Sequence, residues 1–119
     1  MLIIKHTVKT TASADDIWKI WEDVSNWNTW DHGLEFSKLN GPFKTGTTGT
    51  LKPKGGPLLQ TKLTHVEPMK MFVDEAKLPL TRIIVTHFLN ESKGKTQVTQ
   101  QIEMNGQLAF LFALAGFSA

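Results

Sequence analysis

The chain predicts an α+β domain in which an antiparallel sheet does most of the building. Three observations carry this. An apolar, β-branched opening stretch gives way to a helical periodicity. From Gly33 onward, short strand-like segments alternate with turn chemistry. The closing run, LAFLFALAGF, is apolar nearly all round. The resulting order is strand, two short helices, about six strands, helix. No linker, repeat or low-complexity stretch divides residues 1–119, so a single domain with one core is expected.

LIIKHTVK alternates partially and is rich in β-branched residues, as a first strand should be. Ser13 then precedes Asp15 and Asp16, and Ile17, Ile20, Trp21 and Val24 recur at i, i+3, i+4 and i+7. Ser13 is a natural N-cap, the aspartates suit the positive end of the helix dipole, and the spacing predicts one apolar face. SNWNTW predicts a second short helix, with Ser25 as its cap. The segments EFSKL, GTTGTLKP, PLLQTKLTHVE, MKMFVDEAKL, LTRIIVTHFLN and KTQVTQQIEMN follow, separated by NGPFKTG, KPKGG, EP, LP and ESKG. Gly, Pro and Asn between apolar runs mark an antiparallel meander.

The last hairpin admits a register. If ESKG closes it with Glu91 opposite Lys95, Phe88 faces Val98, Thr86 faces Gln100 and Ile84 faces Ile102. These pairs, with Met104, make a mostly apolar face. His87, Thr99, Gln101 and Glu103 then take the wetter side, because neighbours on a strand point oppositely; a one-residue slip would exchange the faces.

Composition excludes several functions. With no cysteine, disulfides, thiolate metal sites and a cysteine nucleophile are ruled out. The opening MLIIKHTVKT is too polar for a signal-peptide core, and LAFLFALAGF is about half of the roughly 20 residues a membrane span needs. A cytoplasmic protein without a membrane span is the expectation. Lys38, Lys44, Lys52, Lys54 and Lys62 fall in an acid-free stretch, but they are dispersed among glycines and prolines with Phe43 as the one aromatic. They read as solvated hairpin tips, with no nucleic-acid partner expected. His6, His32, His65 and His87 show neither HxH nor HExxH spacing, so no metal is expected, and no other cofactor. In GPFKTGTT, which approaches a phosphate loop, Thr47 stands where the lysine should be. No GxSxG elbow occurs, and the sequon Asn90-Glu91-Ser92 carries little weight in a chain without a secretion signal.

The run IWKIWEDVSNWNTWD, the turn GPFKTGTTGTL, the stretch THFLNESKGKTQVTQQIEMNG and the closing LAFLFALAG resemble the polyketide cyclase/dehydrase-like branch of the START/Bet v 1 (SRPBCC) superfamily. The resemblance covers almost the whole chain. It implies a helix-grip fold, a curved antiparallel sheet of about six to seven strands wrapped around a C-terminal helix, with an apolar cavity between them. It also implies a longer final helix than the one written here, so that helix is expected to be short or truncated. Apolar surface left exposed by a shortened helix would favour a homodimer.

Within that frame all four tryptophans lie between positions 18 and 30. Trp21 belongs to the helical stripe and should pack the core, Trp18 should cover a neighbouring element, and Trp27 and Trp30 are the candidates for lining a cavity. Ile84, Thr86, Phe88, Val98, Gln100 and Ile102 of the last hairpin, with Phe110 of the closing helix, complete the expected ligand-binding set. No catalytic residue is assigned. His87 has the right type for a general base, but the register above turns it outward. Asp31-His32 could pair acid with base at the mouth of the helix pair, though a helix-ending Asp before Gly33 is a sufficient reason for it. Asp74 and Glu75, adjacent on a strand, point oppositely and form no carboxylate dyad. The expected function is binding or transport of a small hydrophobic ligand such as a lipid, isoprenoid or aromatic metabolite. A cyclase/dehydratase acting in the same cavity and a protein-interaction domain are the alternatives.

Overall fold

The computed structural model describes residues 2–78 and 80–106. The expected closing helix, with Phe110, lies outside the described residues. Among the described residues seven antiparallel strands form one curved sheet: β1 (Leu2–Thr10), β2 (Leu34–Leu39), β3 (Thr48–Pro53), β4 (Leu59–Glu67), β5 (Met71–Leu78), β6 (Thr81–Ser92) and β7 (Lys95–Gly106). Their spatial order, β1-β7-β6-β5-β4-β3-β2, leaves the first two strands at opposite edges. Helix α1 (Ala14–Glu22) and a 3-10 helix (Val24–Thr29) bridge those edges. Register shifts between Leu34 and Phe36 and between Leu63 and His65 insert bulges, which sharpen the bend of a sheet.

Helix α1 starts where the sequence places it. Ser13 Oγ accepts a hydrogen bond from the Asp16 amide at 3.1 Å, and Glu91 of β6 accepts one from the Ala14 amide at 2.9 Å. A carboxylate from the last hairpin thus meets the positive end of the helix. The buried face differs from the expected stripe: Ala14, Trp18 and Trp21 go inward, while Ile20 is 52% exposed. Turning the two indoles inward removes more apolar area from water than Ile20 could. Trp18 is accordingly core, in edge-on contact with Trp21, Phe43 and Phe72. The second helix is a 3-10 helix with Asp23, not Ser25, at its N-cap position; the Asp23 carboxylate accepts a hydrogen bond from the Asn26 side-chain amide at 2.7 Å. Ser37 of β2 donates to the Val24 carbonyl at 2.5 Å, which moors this helix to the sheet edge.

The last hairpin corrects the expected register by one residue. Ser92, not Glu91, stands opposite Lys95, so Leu89 faces Val98, His87 faces Gln100 and Val85 faces Ile102. The cause is the turn. Lys93 and Gly94 have φ of 53° and 75°, the paired positive angles of a two-residue type I′ loop, whose twist matches that of the strands. The slip reverses the faces of β6 and leaves those of β7 unchanged. At the other end of the sheet Gly106, with φ of 124°, lies so close to the Leu80 carbonyl that no side chain would fit.

Candidate functional site

Across the strands the inward-facing residues form rows: Ile102, Val85, Asp74 and Leu63 in one, Gln100, His87 and Phe72 in the next. Beneath α1 the floor is filled by an aromatic cluster around Phe72, which is fully buried. Beyond it the side chains become aliphatic and smaller, Ala76, Ile83, Leu59 and Val85, and among the described residues a cavity opens above them. The cavity has a volume of about 450 Å³, within the range that suits a small molecule. Trp27, Trp30, Asp31 and His32 face it from the helix side.

Several polar side chains reach it from the sheet: Thr61 of β4, Asp74 of β5, His87 of β6 and Gln100 of β7. They run as a diagonal stripe across successive strands. None makes a hydrogen bond or ion pair within the described chain, yet no buried side-chain nitrogen or oxygen is left unsatisfied by lack of access. Their polar atoms therefore open into the cavity. His87 stacks on Phe72, with centroids 4.1 Å apart and planes 8° from parallel, and meets Trp21 edge-on at 5.4 Å. Burial against these rings lowers its pKa to about 3, so the imidazole is neutral at ordinary pH. Burial raises the Asp74 pKa to about 7. Trp27 spends its indole N–H on the Trp21 carbonyl at 3.0 Å and leaves a ring against the cavity. Trp30 lies 6.1 Å from it, ring to ring, and is 44% exposed. Asp31 accepts the Gly33 amide at 3.1 Å, so the turn alone accounts for its position.

Of the residues expected at a ligand site, Trp27, Trp30, Gln100 and Ile102 line this cavity. Ile84, Thr86 and Phe88 do not: the register turns them to the convex face, where Phe88 is 39% exposed opposite Thr99. Val98 packs against the aromatic cluster. Sequence reasoning missed Ile83, Val85, His87 and Asp74. For Asp74 a signal exists: the alternation Phe72-Asp74-Ala76 puts two apolar residues on its face, and both are buried. Glu75, as expected, points the other way and pairs with Arg82 at 2.9 Å. Among the described residues no cluster of acids and histidines could hold a metal.

A seven-stranded sheet with a helix pair across one end and a ligand-sized cavity on its concave face is a START-like arrangement. The chain belongs to the polyketide cyclase / dehydrase and lipid transport family, which matches residues 1–118. No curated protein matches it in sequence. Among solved structures it is similar to the Zhui aromatase/cyclase from Streptomyces sp. R1128, with a TM-score of 0.75 and 15% identity over 91% of this chain and 70% of that one. A truncated norcoclaurine synthase from Thalictrum flavum gives 0.74 at 16% identity, covering 99% and 83%. A START superfamily protein from Mycobacterium smegmatis gives 0.72 at 13%, covering 96% and 86%. At such identities the likeness concerns the fold alone.

Proposed function

We propose that the chain binds a small, largely apolar molecule in the cavity between the sheet and the helix pair. The observation that carries this is the cavity itself, walled among the described residues by Ile83, Val85, Ile102, Trp27 and Trp30 and crossed by a stripe of polar groups that make no hydrogen bond or ion pair within the described chain. Apolar walls supply affinity, and a few convergent polar groups orient the occupant. Trp27 and Trp30 also make binding visible, since their emission should respond to it.

The test is a titration with N-phenyl-1-naphthylamine, a neutral apolar probe that fluoresces when sheltered from water. Wild type should saturate at one equivalent. Val85→Trp, which fills the cavity from the floor, should bind at least about tenfold more weakly, the loss of one good apolar contact. Equal binding by a folded Val85→Trp would refute the cavity as the site.

A second reading is favoured by one observation: Asp74 titrates near 7 beside a neutral His87 on the same cavity floor. A carboxyl that titrates near neutrality in an apolar space is what a cyclase or dehydratase would use as its acid or base. The readings diverge at Asp74→Asn. Probe affinity survives in both, and only the enzyme also loses turnover.

A further inference from the structure

We propose that this cavity selects its occupant by charge, taking an apolar molecule that carries a protonated amine, ion-paired with Asp74, and refusing a carboxylate of the same shape. The inference rests on the ligand-binding reading above and adds to it the chemical class of the ligand.

The reason is an imbalance in the lining. Asp74 and Asp31 both face the cavity, and no lysine or arginine does among the described residues. The groups around Asp74 offer it nothing: Leu63 and Thr61 from β4, Val85 and His87 from β6, Trp27 from the 3-10 helix. His87 is uncharged at ordinary pH. His32 lines the rim of the same cavity but makes no ion pair. Lys38 reaches a narrow cleft that Asp74 also borders, yet it too makes no ion pair. Residues 107–119, QLAFLFALAGFSA, contain no ionisable side chain, so they hold no side-chain cation for Asp74 either.

A carboxyl in an apolar space is costly to ionise without a partner, and this one is held protonated to about pH 7 for that reason. A ligand ammonium would supply the missing charge, and the ring faces of Trp27 and Trp30 suit a cation better than an anion. A carboxylate would instead meet two acids and no positive side chain.

The test uses three probes of one shape: 2-(1-naphthyl)ethylamine, 2-(1-naphthyl)ethanol and 1-naphthylacetate, titrated calorimetrically into the full chain. The amine should bind most tightly and the carboxylate most weakly. Alkylamines stay protonated well above neutrality, so the pH dependence belongs to the protein. Between about pH 6 and about pH 8 amine affinity should rise about tenfold as Asp74 gives up its proton, while alcohol affinity stays level. Asp74→Asn should abolish both the rise and the preference for the amine while still binding the alcohol. If the alcohol binds but the carboxylate equals the amine, or if Asp74→Asn keeps the preference, charge selection is overturned and the cavity reading stands. If folded wild type binds none of the three, the cavity reading falls, and this inference with it.

Discussion

At the end of the concave face beneath α1, Trp18, Trp21, Phe43 and Phe72 meet in edge-on contacts with centroids 5.1–6.3 Å apart. At the opposite end the same strands present Leu59, Ala76, Ile83 and Ile102 to the cavity that opens among the described residues. Both ends belong to one sheet, and what differs is the size of the inward side chains and what lies above them. Large rings interlock and exclude everything else. Small aliphatic residues leave volume behind, and the polar stripe of Asp74, His87 and Gln100 marks where the filled half stops. Stability is concentrated at one end, and room for a ligand at the other.

The largest effect should come from breaking the filled end. Trp21→Ala removes an indole that touches Trp18, Phe72 and His87. It should cost ~3–5 kcal/mol of unfolding free energy, measured by urea denaturation. Val85→Trp, at the open end, adds a ring where space already exists and should leave the midpoint nearly unchanged. If the two substitutions cost the same, the halves are equally packed and the contrast is wrong.

The next effect sits on the boundary between the halves and appears as a dependence on pH. In the folded chain Asp74 keeps its proton to about 7, against an ordinary value of 3.8. Between these values the unfolded chain has released a proton that the folded chain retains. Stability therefore falls as pH rises, by at most ~1.4 kcal/mol per pH unit. His87 runs the other way: its folded value is about 3 against 6.5, so the unfolded chain holds the extra proton and stability rises with pH. The windows overlap from 3.8 to 6.5, and there the slopes oppose each other. Between about pH 4.5 and about pH 6, His87→Gln should lose up to ~2 kcal/mol relative to wild type, and Asp74→Asn should gain as much. Parallel curves for the three proteins would mean that the two groups are not buried together.

Much of this architecture is legible in the sequence. The strand and turn alternation, the Ser13 cap and the two short helices follow from local chemistry that no distant contact overrides. Legibility ends where one residue of loop length decides a face. The alternation of β6 is plain, but alternation alone cannot say which half points inward. Phe88 and Ile84 look like better core residues than His87, and hydrophobicity therefore favours the wrong register. Burying His87 is tolerable only because Phe72 stacks on it and Trp21 covers its edge, contacts from other elements that β6 does not reveal. Asp74 is obscured in the same way: it and Glu75 are neighbouring carboxylates on opposite faces of β5, and the strand alone does not say which of the two points inward.

The smallest effect tests that decision directly. In the observed two-residue loop both Lys93 and Gly94 need positive φ, 53° and 75°. Lysine enters that region at a cost, whereas asparagine tolerates it and Asn-Gly is the preferred type I′ pair. Lys93→Asn should therefore stabilise the chain by ~0.5 kcal/mol, a gain visible in the urea midpoint with an unchanged slope. In a three-residue loop, with Glu91 opposite Lys95, only the glycine would need positive φ, and the same substitution would gain nothing. That shift would also turn His87 to the convex face and bring Thr86 into the cavity. A conservative change at a hairpin tip thus reports on the cavity floor from the far end of the strand.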